Sequence, residues 1–535
     1  MGYYICGAGT TLSSVTTSGT VTNLTLPTGV SLQSGKRLRG VVLNSQVILV
    51  NQPTENLMVD RFGTVRLLCP PTPASIIIMG NATGGTLTGT FAAKCTFVIK
   101  DEAGNLISES PFSGSTTGAA ITTDYIVASG IPVSPITING LSRRMYRTTT
   151  GPGATYFPWI DVDGNYVTVV QNDMSDASLQ LVAAPTDLGQ PPRFEFVAAW
   201  KDRLWGKTAD DIDTLYYSGV NRPFACASTQ TIPIPPRNRD TRGITGFLPL
   251  KDALGIGRSD SLHQIDGTDE TNFTRQTVKE NVGIWATDSC QVIHNVGYFL
   301  GNPFGIYTWG GPEGGITRIS DERVKAWFET DTYFNRAEFD NAVGSYDPAL
   351  NMYVLNLSAA GSSTLNRWIG YDITAGTWWG PHTTNEFTPT GVFYLRDTDS
   401  IPFMAFGAAD GKIYKFQSTK TDGSATAINF DILTNWMSGG TPNVRKTFLG
   451  PTIVSKIQSD GDLNIRARVG TLNAQESATM IHDMTLGQET LPRLGEGQFC
   501  QLRFLENTAG QDVIIYGAEV DFFEGRQKRE GQTGG

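Results

Sequence analysis

The stretch FEFVAAWKDRLWGKTADDIDTLYYSGVNRPF (194–224) decides the fold. It reads as a strand, a tight turn at Lys201-Asp202, a second strand, a polar turn, and a third strand that ends on Tyr216-Tyr217. The segment 243–267 follows the same plan, with Lys251-Asp252 in the matching place. Short apolar runs rich in β-branched and aromatic residues and separated by tight turns are typical of antiparallel strands. The sequence therefore predicts two successive three-stranded meanders.

Further meanders of similar length occur along the chain. They lie at 38–68, 290–311, 343–380 and 392–417. In the second of these, Tyr298 and Tyr307 take strand positions around an Asn302-Pro303 turn, and the last has an Asp410-Gly411 hairpin turn. The segments start about 40 to 50 residues apart, which is the blade period of β-propellers. We predict a propeller of about five to seven blades; an array of β-sandwiches, which also turns every 8–12 residues, is the alternative.

Composition supports an all-β fold. The chain has 535 residues, of which 39% are hydrophobic, 17% are charged and 59 are glycine. Few charges, many glycines and frequent Thr, Val, Tyr and Phe favour strands joined by tight turns. At this length the chain is expected to contain several domains.

Two regions depart from the blade pattern and set the expected domain boundaries. Residues 85–182 carry alternating patterns with hairpins expected across Ala103-Gly104 and Asp163-Gly164, as in an immunoglobulin- or fibronectin-like sandwich. Residues 426–535 carry long alternating strands, expected to form a sandwich-like closing layer with a flexible tail. The sequence thus predicts N-terminal strands and a first blade at 1–84, the inserted sandwich at 85–182, and the remaining blades at 183–425.

One helix is predicted, over 319–331. Ser320 is placed to cap it, and Asp321 and Glu322 suit its positive N-terminal end. Its apolar residues fall on one face, as expected of a helix packed beside a blade; these are Val324, Trp327 and Phe328.

The charge balance argues against a protein that grips nucleic acid by its phosphates. The formal net charge is −10, and the longest basic cluster is GRQKRE at 525–530, which we interpret as a solvated end. No secretory signal is expected at the N-terminus, and no apolar run is long enough to span a membrane. The cysteines have no CxxC spacing, which indicates reduced and mostly buried thiols; they are Cys6, Cys69, Cys95, Cys226, Cys290 and Cys500.

Catalytic and metal-binding motifs are not found in the sequence. The four histidines have no metal-ligand spacing and are interpreted as ordinary strand or loop residues; they are His263, His294, His382 and His482. The acidic segments 208–213 and 266–272 lack the register of a calcium loop and are interpreted as solvated turns. We therefore assign no catalytic, cofactor-binding or metal-binding residue, and expect no cofactor.

A glycosidase is the sharpest enzymatic alternative, because propellers host such enzymes and two carboxylates suffice. The segment YDITAGTWWG (371–380) approaches the Asp-box of sialidases, but Gly376 follows Asp372 by four positions where the box has two. The favoured interpretation is a turn capped by Asp372, with Trp378 and Trp379 packed between blades.

The order of these features resembles the tail nozzle proteins (tail tubular protein B-like) of short-tailed bacteriophages. A first blade ending NLMVDRFGTVRLLCPPTPAS precedes the fibronectin-like segment GTFAAKCTFVIKDEAGNLISESPFSG, and SRRMYRTTTGPGATYFPWI follows. Next come FEFVAAWKDRLWGKTADDIDTLYYSGVNRP, then VIHNVGYFLGNPFGIYTWGG and ISDERVKAWF. The resemblance spans most of the chain and rests on motif order and aromatic placement; the last hundred residues carry it least.

The resemblance implies a virion protein without enzymatic activity, assembled in the bacterial host cytoplasm. Six copies would form a homohexameric ring, the distal part of a short tail tube. The ring would dock to a tail adaptor protein and to tail fibres or other receptor-binding proteins, and double-stranded DNA would pass through its lumen during ejection without sequence-specific binding or membrane insertion. A polysaccharide-cleaving propeller (tailspike-like) and a receptor-binding propeller (adhesin-like) are the alternatives.

Overall fold

The computed structural model describes residues 3–116, 118–136, 138, 140–151, 155–179, 182–236, 240–321, 323–383, 387–416, 421–422, 426–427, 430–459, 461–508 and 513–524. The chain divides into two compact units. The propeller unit comprises 1–383 and 389–413, and the C-terminal unit comprises 384–388 and 414–535. The described part is all-β apart from short helices, as the composition predicts.

The chain begins with two antiparallel sheets. The N-terminal sheet contains β1 (Tyr3–Ala8), β2 (Thr11–Thr16) and β3 (Val21–Asn23). Blade 1 contains β4 (Arg39–Leu43), β5 (Gln46–Val50), β6 (Leu57–Val59) and β7 (Val65–Leu67).

A two-sheet sandwich follows blade 1. Its strands are β8 (Ile78–Phe91), β9 (Ala93–Lys100), β10 (Leu106–Glu109), β11 (Ala119–Ser129), β12 (Leu141–Thr148), β13 (Tyr156–Asp163) and β14 (Val169–Asn172). One sheet has the order β10-β9-β12-β13 and the other β14-β11-β8. Their inner faces enclose a core that includes Phe91, Ile126, Met145 and Trp159.

Of the two hairpins predicted in this region, the structure has the first but not the second. β9 and β10 do pair across a turn that includes Gly104, whose φ of 83° needs glycine. β13, however, pairs with β12, whereas β14 pairs with β11 in the other sheet. The Asp163-Gly164 turn therefore carries the chain from one sheet to the other, because both sheets contribute an apolar face to the same core.

Five further blades follow the sandwich. Blade 2 contains β15 (Phe194–Trp200), β16 (Arg203–Thr208), β17 (Thr214–Tyr217) and β18 (Thr231–Pro233); blade 3 contains β19 (Ile244–Pro249), β20 (Leu254–Arg258), β21 (Ser261–Asp266) and β22 (Thr274–Glu280). Blade 4 contains β23 (Gly283–Ile284), β24 (Gln291–Ile293), β25 (Val296–Asn302), β26 (Gly305–Trp309) and β27 (Ile316–Arg318). Blade 5 contains β28 (Val343–Asp347), β29 (Met352–Leu357), β30 (Arg367–Asp372) and β31 (Thr377–Thr383); blade 6 contains β32 (Pro389–Arg396), β33 (Pro402–Ala408) and β34 (Ile413–Lys415).

The two Lys-Asp turns differ in backbone conformation. Lys201 and Asp202 have φ values of 50° and 56°, as in the type I′ turn that matches strand twist. Lys251 and Asp252 are not among the residues with positive φ. The sequence repeat therefore predicts two hairpins correctly but not a common turn type.

Each sheet packs against the next in chain order. Phe196 and Trp205 of blade 2 share a core with Ile256 of blade 3, and Tyr298 of blade 4 stacks on Tyr353 of blade 5 with ring centroids 5.4 Å apart. Buried apolar side chains also join the N-terminal sheet to blade 1, blade 1 to blade 2, and blade 3 to blade 4. Trp368 of blade 5 packs on Phe406 of blade 6 with ring centroids 6.2 Å apart. This side-by-side packing of meanders buries the facing sides of neighbouring sheets, which is the propeller arrangement.

The N-terminal sheet also reaches the last blade. The backbone N–H of Arg396 in β32 donates to the hydroxyl of Tyr4 in β1. Within the described residues, six blades and the N-terminal sheet thus make seven sheets that follow one another around the ring.

A buried arginine links blades 2 and 3. Arg258 at the end of β20 donates from Nε to Asp240 at 2.7 Å and from Nη1 to Asp213 at 2.6 Å. The side chains of Arg258 and Asp240 are completely buried. These contacts hold Asp240 and the Asp213 turn of blade 2 against blade 3, since neither charge of the buried pair can be left without its partner in the interior.

The predicted helix is shorter than expected. The structure has α1 at Lys325–Glu329, and Val324 precedes it without a side-chain cap. Ser320 is buried and accepts a hydrogen bond from the backbone N–H of Ile306, so its hydroxyl serves the blade edge instead. Val324 and Phe328 are buried as predicted, and Glu322 lies outside the described residues. Short 3-10 helices span Asp176–Ser178, Thr287–Ser289 and Arg336–Asn341.

The C-terminal unit is built of short antiparallel sheets. Its strands are β35 (Thr421–Asp422), β36 (Thr426–Ala427), β37 (Phe430–Leu433), β38 (Lys446–Phe448), β39 (Thr452–Ser455), β40 (Asp462–Gly470), β41 (Met480–Asp483), β42 (Gln488–Thr490), β43 (Gly495–Gly497), β44 (Phe499–Glu506), β45 (Ile515–Glu519) and β46 (Phe522–Glu524). The main sheet has the order β37-β44-β40-β41, and two three-stranded sheets, β43-β38-β46 and β42-β39-β45, complete the unit. Its core includes Phe448, Ile453, Ile465 and Phe504. The basic segment 525–530 and the rest of the expected tail lie outside the described residues.

All six cysteines are unpaired, and four of them are buried. Among the helices of the described residues, none is long and apolar enough to cross a bilayer.

Candidate functional site at the propeller axis

Charged side chains converge near the first strands of the blades. Arg39 begins β4 in blade 1, and Glu195 is the second residue of β15 in blade 2. Asp288 lies in the 3-10 turn Thr287–Ser289, which separates β23 from β24 in blade 4. The interruption of this strand brings a carboxylate to the place where other blades have a continuous strand.

Two arginines of the N-terminal part bind this carboxylate. Arg39 donates from Nε to Oδ1 of Asp288 at 2.7 Å and from Nη2 to Oδ2 at 2.9 Å. Arg37 donates from Nη1 to Oδ2 of Asp288 at 3.0 Å and from Nη2 to the carbonyl oxygen of Asn341 at 2.7 Å. Asn341 lies two residues before the first strand of blade 5, so the contacts connect three blades.

A second carboxylate extends the network to blade 2. Glu195 lies 3.9 Å from Nη1 of Arg39 and forms an ion pair with Lys207 of β16. The side chain of Lys207 is almost fully buried, and its charge is therefore compensated inside the blade.

The Arg39–Asp288 pair crosses the ring of blades. Blade 1 and blade 4 are separated in packing order by blades 2 and 3, so a direct contact between them passes through the centre. Asp288 is mostly buried, with 17% of its side chain exposed. Side chains therefore cross the centre of the ring at this level.

The electrostatics of the pair favour the ionised state. Burial alone would raise the pKa of Asp288, but the hydrogen bonds and charges of Arg39 and Arg37 outweigh burial and lower this pKa below its ordinary value. Burial likewise disfavours the charged form of Arg39, but the hydrogen bonds and charge of Asp288 favour it. The pKa of Arg39 is raised as a result. A carboxylate whose two oxygens are bound by guanidinium groups is a poor proton acceptor and a poor nucleophile. The cluster ties blades together and is not suited to acid–base chemistry.

A small cleft adjoins the cluster between the N-terminal sheet and blade 1. It has a volume of about 280 Å³ and is lined mainly by apolar side chains, including Ile5, Val42 and Leu49. Arg39 is the charged residue in its wall, and its guanidinium is already engaged with Asp288.

A second constellation, which sequence reasoning missed, lies in the C-terminal unit. Ser455 Oγ is 2.9 Å from Nε2 of His482, and Nδ1 of His482 is 3.1 Å from Oε2 of Glu489. The order of groups is that of a nucleophilic triad. Ser455 is only 4% exposed and His482 is fully buried, so a substrate has no access to the hydroxyl. The chain of bonds instead joins β39, β41 and β42 across two sheets.

The other histidines occupy ordinary structural positions. His263 is buried in β21, with Ser261 and Thr277 each 3.3 Å from a ring nitrogen. His382 stacks on Trp368 with ring centroids 4.2 Å apart. In the part of the chain that the structure describes, no group of three or more His, Cys, Asp or Glu residues could hold a metal ion.

The acidic segments 208–213 and 266–272 use their carboxylates within the fold. Asp211 accepts a hydrogen bond from the hydroxyl of Tyr216, and Asp213 pairs with Arg258. Asp269 accepts from the backbone N–H of Thr271.

The turn at Asp372 is formed largely as interpreted. The carboxylate accepts hydrogen bonds from the backbone N–H groups of Thr374 and Ala375. Trp378 packs on Tyr371. The expectation for Trp379 is wrong: it is 43% exposed, because successive residues of β31 face opposite sides of the strand.

Comparison with solved structures gives distant likenesses. No protein-family model and no curated protein matches the chain in sequence. The extracellular domain of a one-component system from B. thetaiotaomicron aligns over 96% of this chain and 77% of its own length, with 10% identity and a TM-score of 0.24. PorZ, a surface component of the type-IX secretion system of Porphyromonas gingivalis, aligns over 96% and 79%, with 10% identity and a TM-score of 0.23. An exo-beta-1,3-galactanase from Phanerochaete chrysosporium aligns over 90% and 95%, with 7% identity and a TM-score of 0.19. At these TM-scores the likenesses assign neither a function nor a partner.

Proposed function

We propose that this protein is a structural component of a short phage tail, the nozzle that forms the distal part of the tail tube. Copies of the chain assemble into a ring that docks to an adaptor ring and carries tail fibres or receptor-binding proteins. The lumen of the ring conducts double-stranded DNA during ejection. The protein performs no catalysis in this role and is part of the virion.

The observation that carries the proposal is the cluster at the propeller axis. Arg37, Arg39 and Asp288 join blades that do not touch one another through their sheets. Such a tie makes the blades a stiff block, which suits a wall element that must keep its shape under load. It also means that DNA cannot pass along the axis of one propeller, so the conduit lies between copies.

Charge and domain order add support. The chain carries a formal net charge of −10, and a ring of acidic subunits repels the phosphates of passing DNA and does not bind them. A blade, an inserted sandwich, further blades and a final β unit follow one another in the order that the nozzle family resemblance implies.

The test is assembly of the purified full-length chain. We expect rings with a central opening in negative-stain electron micrographs, and a sedimenting species of several subunits at high protein concentration. A protein that stays monomeric at every concentration tested would overturn the proposal, as would release of sugar fragments from host polysaccharide.

A further inference from the structure

The smaller sheet of the sandwich has an open edge on each side. The first half of β8, Ile78–Thr83, pairs with β11, and so does all of β14. Within the described residues, neither segment pairs with a strand on its other side. Each therefore presents a row of backbone N–H and C=O groups that a further strand can bind.

The edge strand β8 lacks the usual protection against pairing. Natural edge strands are commonly guarded by lysines, prolines or inward-pointing charges. The 14 residues of β8, IMGNATGGTLTGTF, include no charged residue and no proline. The bulge near Thr83 and Thr88 twists the far half of the strand, so the flat part of the edge is the segment that begins at Ile78.

The outer face of this sheet is uncharged. Antiparallel sheets that face solvent normally alternate apolar inside with polar outside. Here Ile78, Ser129 and Val169 stand in register across the three strands, and Ile78 and Val169 are 66% and 54% exposed. The pairs Gly80–Val127 and Ala82–Tyr125 continue the same face without a charge.

We propose that β8 of one copy pairs with β14 of the next, so that the sheet continues from subunit to subunit around the ring. The inference rests on the proposed function, since it names the surface by which the copies assemble. Both strands run antiparallel to β11, and hence parallel to each other. The row that ends in Ile78 on one copy then continues into Val169 on its neighbour.

Two features favour a second copy of this chain as the occupant. The exposed apolar residues of the row lie at opposite edges of one sheet, so the surface is complementary to itself in a head-to-tail sense. Head-to-tail contacts generate a ring when the rotation between copies closes, whereas pairing of β8 with another β8 would stop at a dimer. In addition, copies that each carry −10 charges repel one another, and an uncharged face lets them approach at the least electrostatic cost.

The experiment compares three variants of the full-length chain, Ile78→Lys, Val169→Glu and the double variant, by sedimentation velocity over a range of concentrations. We expect each single variant to raise the concentration needed for half-assembly about tenfold or more, because a charged side chain on an edge strand opposes pairing with a further strand. The double variant should recover most of the loss, since the introduced lysine of one copy then meets the introduced glutamate of the next. Leu106→Lys, which adds a charge at a 40% exposed position of the other sheet, is the matched control and should assemble normally.

The outcomes separate the inference from the proposed function. If the wild type forms rings and both single variants form them at the same concentration, the inference is overturned and the proposed function stays in place. Loss of assembly in Ile78→Lys alone, without recovery in the double variant, would also overturn the head-to-tail contact. A wild-type chain that never assembles would overturn the proposed function, and the inference with it.

Discussion

Replacing Asp288 by asparagine tests whether the axial cluster holds the propeller together. The substitution keeps the shape of the side chain but leaves Arg37 and Arg39 without their shared counter-charge. Breaking a fully buried ion pair by removing one partner costs about 3–5 kcal/mol. Because 17% of Asp288 and 32% of Arg37 remain exposed, we expect Asp288→Asn to lower the free energy of unfolding by roughly 2–4 kcal/mol.

Urea unfolding followed by tryptophan fluorescence is the assay. Nine of the ten tryptophans lie in the propeller unit, and Trp436 lies in the C-terminal unit, so the signal reports mainly on the propeller. With a denaturant slope of about 3 kcal/mol per M, the midpoint should fall by roughly 1 M. Asp331→Asn is the matched control, since Asp331 binds Arg336 with two hydrogen bonds at 3.0 and 3.1 Å but in an exposed position. It should shift the midpoint much less.

The pH dependence of the difference carries a second prediction for the same variant. The pKa of Asp288 is lowered in the folded state, so its contribution is present above the pKa of an unfolded aspartate. It is lost as the pH falls through the lowered value. The stability gap between wild type and Asp288→Asn should therefore narrow in acid. Equal midpoints for Asp288→Asn and Asp331→Asn, or full additivity of Arg39→Met and Asp288→Asn in a double-mutant cycle, would refute the idea of an axial tie.

Three other predictions follow from the fold. Arg258→Met leaves the carboxylate of Asp240 buried without its partner, and should cost about 3–5 kcal/mol in the same urea assay; an unchanged midpoint would contradict the buried pair. Burial lowers the pKa of His382 from its ordinary 6.5 to about 4. Between pH 6.5 and 4 the imidazole is therefore protonated in the unfolded chain and neutral in the folded chain. The free energy of unfolding of the wild type should fall by up to roughly 3 kcal/mol over this range. His382→Phe should flatten that part of the stability profile, and a profile like that of wild type would speak against the shift. Finally, Asp202→Gly should stabilise by about 0.5–1 kcal/mol, because φ at Asp202 is positive, whereas Asp252→Gly should destabilise by a similar amount; thermal unfolding with shifts of the same sign would count against the assigned turn types.

The features that the sequence predicts are local ones. The strands of blade 2 and the Asp410-Gly411 hairpin depend on alternation and on turn residues within a few positions of each other, and the structure has both. The all-β fold follows from composition in the same way. The alternation of apolar and polar residues shows which side chains of a strand face the core, and this depends only on neighbouring residues.

The features that were missed depend on partners far apart in sequence. Arg39 and Asp288 are separated by 249 residues, and nothing near either residue marks them as a pair. Ser320 shows the converse error. Its position before an apolar run is typical of a helix cap. In the structure, however, its hydroxyl accepts a hydrogen bond from the buried backbone N–H of Ile306. A buried donor without a partner is costlier than an uncapped helix end.

The ion pair at the propeller axis also bears on how a conduit could be built from propellers. A chain can offer the tunnel along its own axis, or several copies can enclose a wider passage between them. The side chains of Arg39 in blade 1 and Asp288 in blade 4 cross the first route here. In the proposed ring, substitutions at the axis should therefore change the stability of the subunit without changing DNA passage, whereas charges added to outward faces should change passage or assembly. If copies join through β8 and β14, the two edges of the smaller sandwich sheet are used by the subunit contact. The surfaces that meet DNA must then lie elsewhere on the subunit.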